Sequence, residues 1–291
     1  MTIDYARLKD WPFSDVTQNY TERDTMLYAL ALGLGQNPLD ELQLRFVYEK
    51  DLQALPTMVA VLGWPGLWTQ DPALGIDWKK VLNGEVRIRF HKPLPRSGLV
   101  LGHTEVTGVI DKGSAKGAVL VTERTVRDGN SGELYATVEQ STFCRGDGGF
   151  SSHGGQHSDN PRPPLPPTPS GAPDQSLEVM TRPESALLYR LCGDCNALHV
   201  DPAVSRAAGF DRPILHGLAT YGIAGHAVLS MCCGSDPARL KSLACRFSAP
   251  VIPGEALRFD IWHANSGAVH FRGIASERGT DVVTCGFAEV A

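Results

Sequence analysis

Hydrophobic residues along this chain gather in short runs, β-branched or aromatic in part, set apart by Gly, Asn and Ser. Runs of that length between turn-forming residues predict strands. They fall at 85–92, 98–111, 115–128 and 133–144, and again at 243–249, 256–264, 268–277 and 281–289. Ahead of each set stands a helical segment, 21–33 and 183–191, followed by an irregular stretch. In the second set a long apolar helix over 215–231 intervenes, rich in small residues (Gly217, Ala219, Gly222, Ala224, Gly225, Ala227) that let a sheet wrap it closely. Helix followed by antiparallel strands predicts an α+β fold, each sheet curled about a buried helix.

The two sets resemble each other in residues as well as in order. Arg89-Phe90-His-Lys-Pro93 matches Arg246-Phe247-Ser-Ala-Pro250, Leu27-Tyr28-Ala-Leu30 matches Leu188-Tyr189-Arg-Leu191, and Asn37-Pro-Leu39-Asp40 lies over Asn196-Ala-Leu198-His199. Between the sets, residues 146–176 run from Gly-rich to Pro-rich, a composition that builds neither helix nor strand and reads as a connector. The expected organisation is therefore a repeat over 1–145, a linker over 146–176 and a second repeat over 177–291. The first repeat lacks the long helix. In its place stands Thr57-Met-Val-Ala-Val-Leu-Gly63-Trp-Pro65-Gly66-Leu-Trp68, where Pro costs a helix about 3 kcal/mol and each Gly about 1. Two readings stay open: a drifted loop, or a shortened helix that leaves apolar room for a chain-like ligand among Met58, Trp64 and Trp68.

Composition narrows the function classes. A net charge of -5 without a polybasic run argues against nucleic acid as partner. No apolar stretch reaches the ~20 residues of a membrane span. The amino terminus shows no apolar signal core, and Phe287-Ala-Glu-Val-Ala291 is neither a prenylation box nor a peroxisomal tripeptide, so the cytoplasm is the expected location. Asn19-Tyr20-Thr21 fits a glycosylation sequon, read as chance in an unsecreted chain. Seven Cys, an odd and scattered set, read as reduced thiols. Cys192-Gly-Asp-Cys195 has the spacing of a metal half-site but no second pair to complete it, so no metal is expected.

The chemistry concentrates in Tyr189-Arg-Leu-Cys-Gly193-Asp194-Cys-Asn196-Ala-Leu-His199. A carboxylate and an imidazole on one tight loop can share a water and move a proton. Further on, Pro213-Ile-Leu-His216-Gly217 opens the long helix, where a backbone N–H can hold an oxygen that becomes negative. Ordinary turn chemistry is the competing reading of Gly-Asp-x-Asn. The first repeat weighs against it: Gly35 stands near the place of Asp194 and Asp40 at that of His199, so folding alone does not demand the pair, and one active site per chain is expected.

The stretch from Tyr189 to Gly217 resembles the active-site motif of MaoC-like, (R)-specific type 2 enoyl-CoA hydratases. Gly193-Asp194-Cys195-Asn196-Ala197-Leu198-His199, then Ala208-Gly209-Phe210, then Pro213-Ile-Leu-His216-Gly217 follow the family pattern, with Ala197 where the family has Pro. The resemblance implies a double hot-dog fold with a non-catalytic first repeat that holds the acyl chain. It implies hydration of trans-2-enoyl-CoA to (R)-3-hydroxyacyl-CoA, or the reverse. Asp194 and His199 would activate water, Asn196 orient them, and the Gly217 N–H hold the thioester oxygen. Tyr189, His216, Arg246, Phe247 and Gly254 are the implied substrate-binding residues, with Arg246 either on a CoA phosphate or partly structural. No cofactor is implied, because the thioester itself acidifies the α-position; acyl-CoA is the partner, and a homodimer stays open. The alternatives are a hot-dog acyl-CoA thioesterase and a non-catalytic acyl-CoA-binding module. Chain length, branching, direction of reaction and the effect of Ala197 are not fixed by these residues.

Overall fold

A computed structural model describes residues 3–152 and 157–291. The eight expected strands form, as β2 (Val81–Phe90), β3 (Gly98–Asp111), β4 (Ala118–Asp128) and β5 (Leu134–Cys144), then β7 (Leu240–Phe247), β8 (Ala256–His263), β9 (Ala268–Ala275) and β10 (Thr280–Val290). Two more strands were not expected, β1 (Val16–Tyr20) and β6 (Gln175–Met180). Both lie at the ends of the sheet, where a strand pairs on one side only; β1 is mostly polar and alternates half-buried with exposed positions before Tyr20, and β6 is mostly exposed. Such sequences carry little hydrophobic signal. Gln175 and Ser176 therefore belong to a strand and not to the connector.

The strands do not make two separate sheets. They form one antiparallel sheet in the order β1-β3-β4-β5-β2-β7-β10-β9-β8-β6, each half the reverse of the other. The join is β2 against β7, with Arg87 opposite Ala244, Glu85 opposite Arg246 and Arg89 opposite Ser242, so the matched Arg89 and Arg246 stand symmetrically about one central pair. An approximate twofold relation between the halves follows from this register.

Helices α1 (Tyr5–Lys9), α2 (Glu22–Ala31), α3 (Glu41–Val47), α4 (Ser185–Tyr189), α5 (Pro202–Ala207) and α6 (Gly217–Cys233) complete the fold. Helix α6 is the expected central helix, and Leu218 to Leu229 along it are buried. In the first half only a short 3-10 turn, Pro56–Ala60, takes the corresponding role, and it packs on α6. Gly225 permits that approach: a Cβ there would lie 2.4 Å from Thr57 Cγ2. One hydrophobic core draws on both halves, while a smaller cluster (Val106, Val109, Leu120 and Phe150 among others) sits apart under the first half.

The connector is pinned across the sheet face, although 153–156 lie outside the described residues. Asp159 accepts from the Val109 N–H of β3, Arg162 pairs with Glu139 of β5, the Pro163 carbonyl accepts from Arg87 of β2, Thr168 Oγ1 accepts from the Cys285 N–H of β10, and Gly171 O accepts from Trp262 of β8. Among the described residues no helix is long and apolar enough to cross a membrane.

Candidate active site

The loop after α4 turns at Gly193, whose φ of 136° favours glycine. Asp194 Oδ1 then accepts from the Asn196 N–H at 3.1 Å, and Asn196 Oδ1 accepts from the Leu198 N–H at 3.1 Å, capping the short 3-10 turn Ala197–His199. These two local bonds wind the chain so that Asp194 and His199 come to one wall. Ala197 sits exposed inside that turn, which forms without the family's Pro.

His199 is oriented from behind. Its Nδ1 lies 2.9 Å from the Ile214 carbonyl, which only accepts, so Nδ1 carries the proton and Nε2 keeps its lone pair when the ring is neutral. Burial lowers the pKa of His199, opposed by the nearby Asp194 carboxylate and the Ile214 bond. His216 stacks beneath it with ring centroids 3.7 Å apart and reaches the Asp194 carbonyl through Nε2 at 3.1 Å. Burial, then the neighbouring His199, drives His216 down to about 2, so it is a neutral spacer.

Asp194, Asn196, His199 and Gly217 all line a cavity of about 390 Å³ that lies between the two halves. Gly217 is the first residue of α6, and the first N–H groups of a helix have no intrahelical acceptor. A Cβ on Gly217 would stand 3.4 Å from Asn83 Nδ2 and 3.5 Å from Phe247, which fixes those two side chains beside it. The site thus has a carboxylate, a neutral imidazole and a helix amino terminus around one space, a set able to move a proton next to a carbonyl.

The remaining expected residues scatter. Phe247 lines the cavity, and so do Trp64 and Trp68. Tyr189 and His216 are fully buried behind the site, Tyr189 against the His216 ring at 4.9 Å, and neither lines the cavity. Met58 likewise belongs to the core. Arg246 grips Glu85 through Nε and Nη2 at 2.9 and 2.6 Å, away from the lining. Gly254 lies in a turn, its N–H donating to Thr181 Oγ1. Asp194, His199 and His216 are the one group of three or more His, Cys, Asp or Glu side chains among the described residues with ligand-type atoms within 4.8 Å of one another. Each imidazole already spends one nitrogen on a backbone carbonyl, His199 on Ile214 and His216 on Asp194.

The first half supplies a polar wall that was not anticipated: Asn83, Thr104, Thr122, Arg124, Gln140 and Thr142. They sit on neighbouring strands, Thr104 opposite Arg124, Thr122 opposite Gln140, and Asn83 opposite Thr142. The available signal was polar residues at the inward positions of otherwise apolar strands.

Comparison with known proteins matches residues 165–285 to the MaoC like domain and residues 18–146 to the MFE-2 hydratase 2 N-terminal domain. The chain is 39% identical over 258 residues to 3-hydroxyacyl-thioester dehydratase Y of Mycobacterium tuberculosis, covering 87% of this chain and 85% of that one. It is 35% identical to a probable enoyl-CoA hydratase 2 of Dictyostelium discoideum, over 99% of this chain and 97% of that protein. The crystal structure of a MaoC-like dehydratase from Phytophthora capsici shares the architecture with a TM-score of 0.85 at 31% identity, covering 99% of each chain. On these matches, which together span both halves, the chain belongs to the MaoC-like dehydratase and hydratase 2 family and has its double hot-dog fold.

Proposed function

We propose that this chain hydrates trans-2-enoyl-CoA thioesters to (R)-3-hydroxyacyl-CoA and catalyses the reverse dehydration, with Asp194 and His199 sharing the reacting water. The observation that carries the reading is the meeting of a carboxylate and a neutral imidazole on a cavity wall, beside the amino terminus of α6. Water gives up one O–H bond to the pair as its oxygen bonds the β-carbon. The double-bond electrons move onto the thioester as an enolate, which the Gly217 N–H stabilises. The pair then returns a proton to the α-carbon. Asn196 holds the loop that carries both groups. The thioester acidifies the α-position, so the residues named supply all the acid–base chemistry.

On this reading the catalytic repeat begins with β6 at Gln175 and runs to 291, 1–145 supplies the acyl-chain wall, and the connector from 146 up to β6 is the strap between them. The acyl-CoA thioester is the partner, and the proposed location is the cytoplasm, which cell fractionation tests. The activity is tested with purified protein, crotonyl-CoA and resolution of the product's stereochemistry. Formation of (R)-3-hydroxybutyryl-CoA supports the proposal. Release of free CoA without hydration would support a thioesterase instead, and formation of neither product would leave only a binding module.

A further inference from the structure

The wall contributed by β4 holds a buried cation with no anion. Arg124 is 4% exposed and lines the cavity. Its Nη2 donates to the carbonyls of Val59 and Ala60 at 3.1 and 2.7 Å, at the end of the 3-10 turn that replaces the first-half helix. Among the described residues it has no other hydrogen bond and no carboxylate within 4 Å, and its buried Nε meets no acceptor. Burial alone lowers its pKa to about 10, with no acidic neighbour to oppose it. Its cross-strand neighbour Thr104 lines the same cavity and also has a buried hydroxyl without a partner. Two helix-end carbonyls suit a cation, but they neutralise only part of its charge. An uncompensated buried charge is costly, and a ligand that brings the opposite charge recovers that cost.

We propose that Arg124 and Thr104 receive a carboxylate carried on the acyl portion of the substrate, so that the preferred ligand is a dicarboxylic acid esterified to CoA at one end. The inference rests on the acyl-thioester reading above and names its substrate class. Guanidinium and carboxylate match in charge and in planar geometry. The neighbouring Thr122, Gln140 and Thr142 keep this wall polar, which suits a charged end better than a methyl end. Arg145, the other arginine of the lining, is exposed and donates from Nε to the Lys80 carbonyl, so water already serves it.

Saturated thioesters, which cannot be hydrated, separate this proposal from the catalytic one. The probes are three pairs matched in length: butyryl-CoA with succinyl-CoA, hexanoyl-CoA with adipoyl-CoA, and octanoyl-CoA with suberoyl-CoA, each titrated calorimetrically into the intact protein. At one length the dicarboxylic member should bind at least about tenfold tighter, the scale of a charge-assisted hydrogen bond. Arg124→Gln should abolish that preference and Arg124→Lys should keep part of it. Thr104→Val, nearly equal in shape, should reduce it severalfold with the charge in place. Equal or weaker binding of the dicarboxylic member at every length overturns the proposal, whether or not the variants fold. So does a preference that survives in folded Arg124→Gln, which would reduce Arg124 to a cap on the Val59 and Ala60 carbonyls. Hydration of crotonyl-CoA by the same preparation, without any carboxylate preference, removes this inference and leaves the activity standing. Failure to bind any thioester or to hydrate crotonyl-CoA removes both.

Discussion

Two imidazoles stacked at 3.7 Å disfavour double protonation, and the deeper one, His216, is held neutral by burial and by its neighbour; on the proposed mechanism that leaves His199 to take the proton. Asp194→Asn and His199→Gln should each lower kcat by about two to four orders of magnitude, the range of acid–base catalysis, with little change in Tm. Unchanged turnover in either would end their assignment. Buried neutral histidines also set the response to acid. Burial holds His216 near about 2 and His226 near about 4, against 6.5 for the unfolded chain. The unfolded state then binds more protons below pH 6.5, so stability is full above that value and falls as the pH drops toward the folded pKa. At pH 5 each contributes a loss of about 2 kcal/mol. His226→Gln should flatten the acid limb of a pH–stability curve by roughly one proton; an unaltered slope would show that His226 titrates normally. At this scale Asp194, Asn196, His199 and Gly217 were legible because one short loop and one helix start bring them together. For Arg246 the structural one of its two readings gains a partner in Glu85, which lies in the other half, and only the β2–β7 register reveals that contact.

Elements explain why the two halves differ where they do. Asp40, at the place corresponding to His199, is the amino-terminal cap of α3: its carboxylate accepts from the Leu42 and Gln43 N–H groups at 3.1 Å each. Asp40→Ala should therefore cost about 1 kcal/mol of stability and leave turnover intact; a loss of activity like that of the His199 variant would mean a second site. The packing of the Pro56–Ala60 turn on α6 makes a further test. Gly225→Ala places a methyl into Thr57 Cγ2 and should cost about 1–3 kcal/mol. Thr57→Ser, which removes that methyl, should restore part of the loss when combined with it. Additive costs in urea titrations would show that the two elements do not meet there. The main strands and α6 could be read from their hydrophobic runs. The edge strands β1 and β6 and the short α3 could not, because polar, half-exposed segments take their structure from neighbours distant in sequence. The polar wall was hidden for the same reason: which face Thr122 and Arg124 turn inward depends on strand pairing.

At the level of the molecule, one sheet and one principal core span both halves, and the connector ties β3, β5, β2, β10 and β8 along its path. Urea unfolding should then be a single transition seen alike by tryptophan fluorescence and far-ultraviolet dichroism. Two separated transitions would mean that the halves are independent folding units. The doubling was legible from matched residues such as Arg89 and Arg246, whereas the closing of two sheets into one was not, since it depends on a single backbone register. That register has an evolutionary reach. When two identical subunits meet across a twofold axis, each mutation appears at both places at once. Covalent fusion lifts that constraint, so corresponding places are free to diverge, as Asp40, a helix cap, and His199, on the cavity wall, have done.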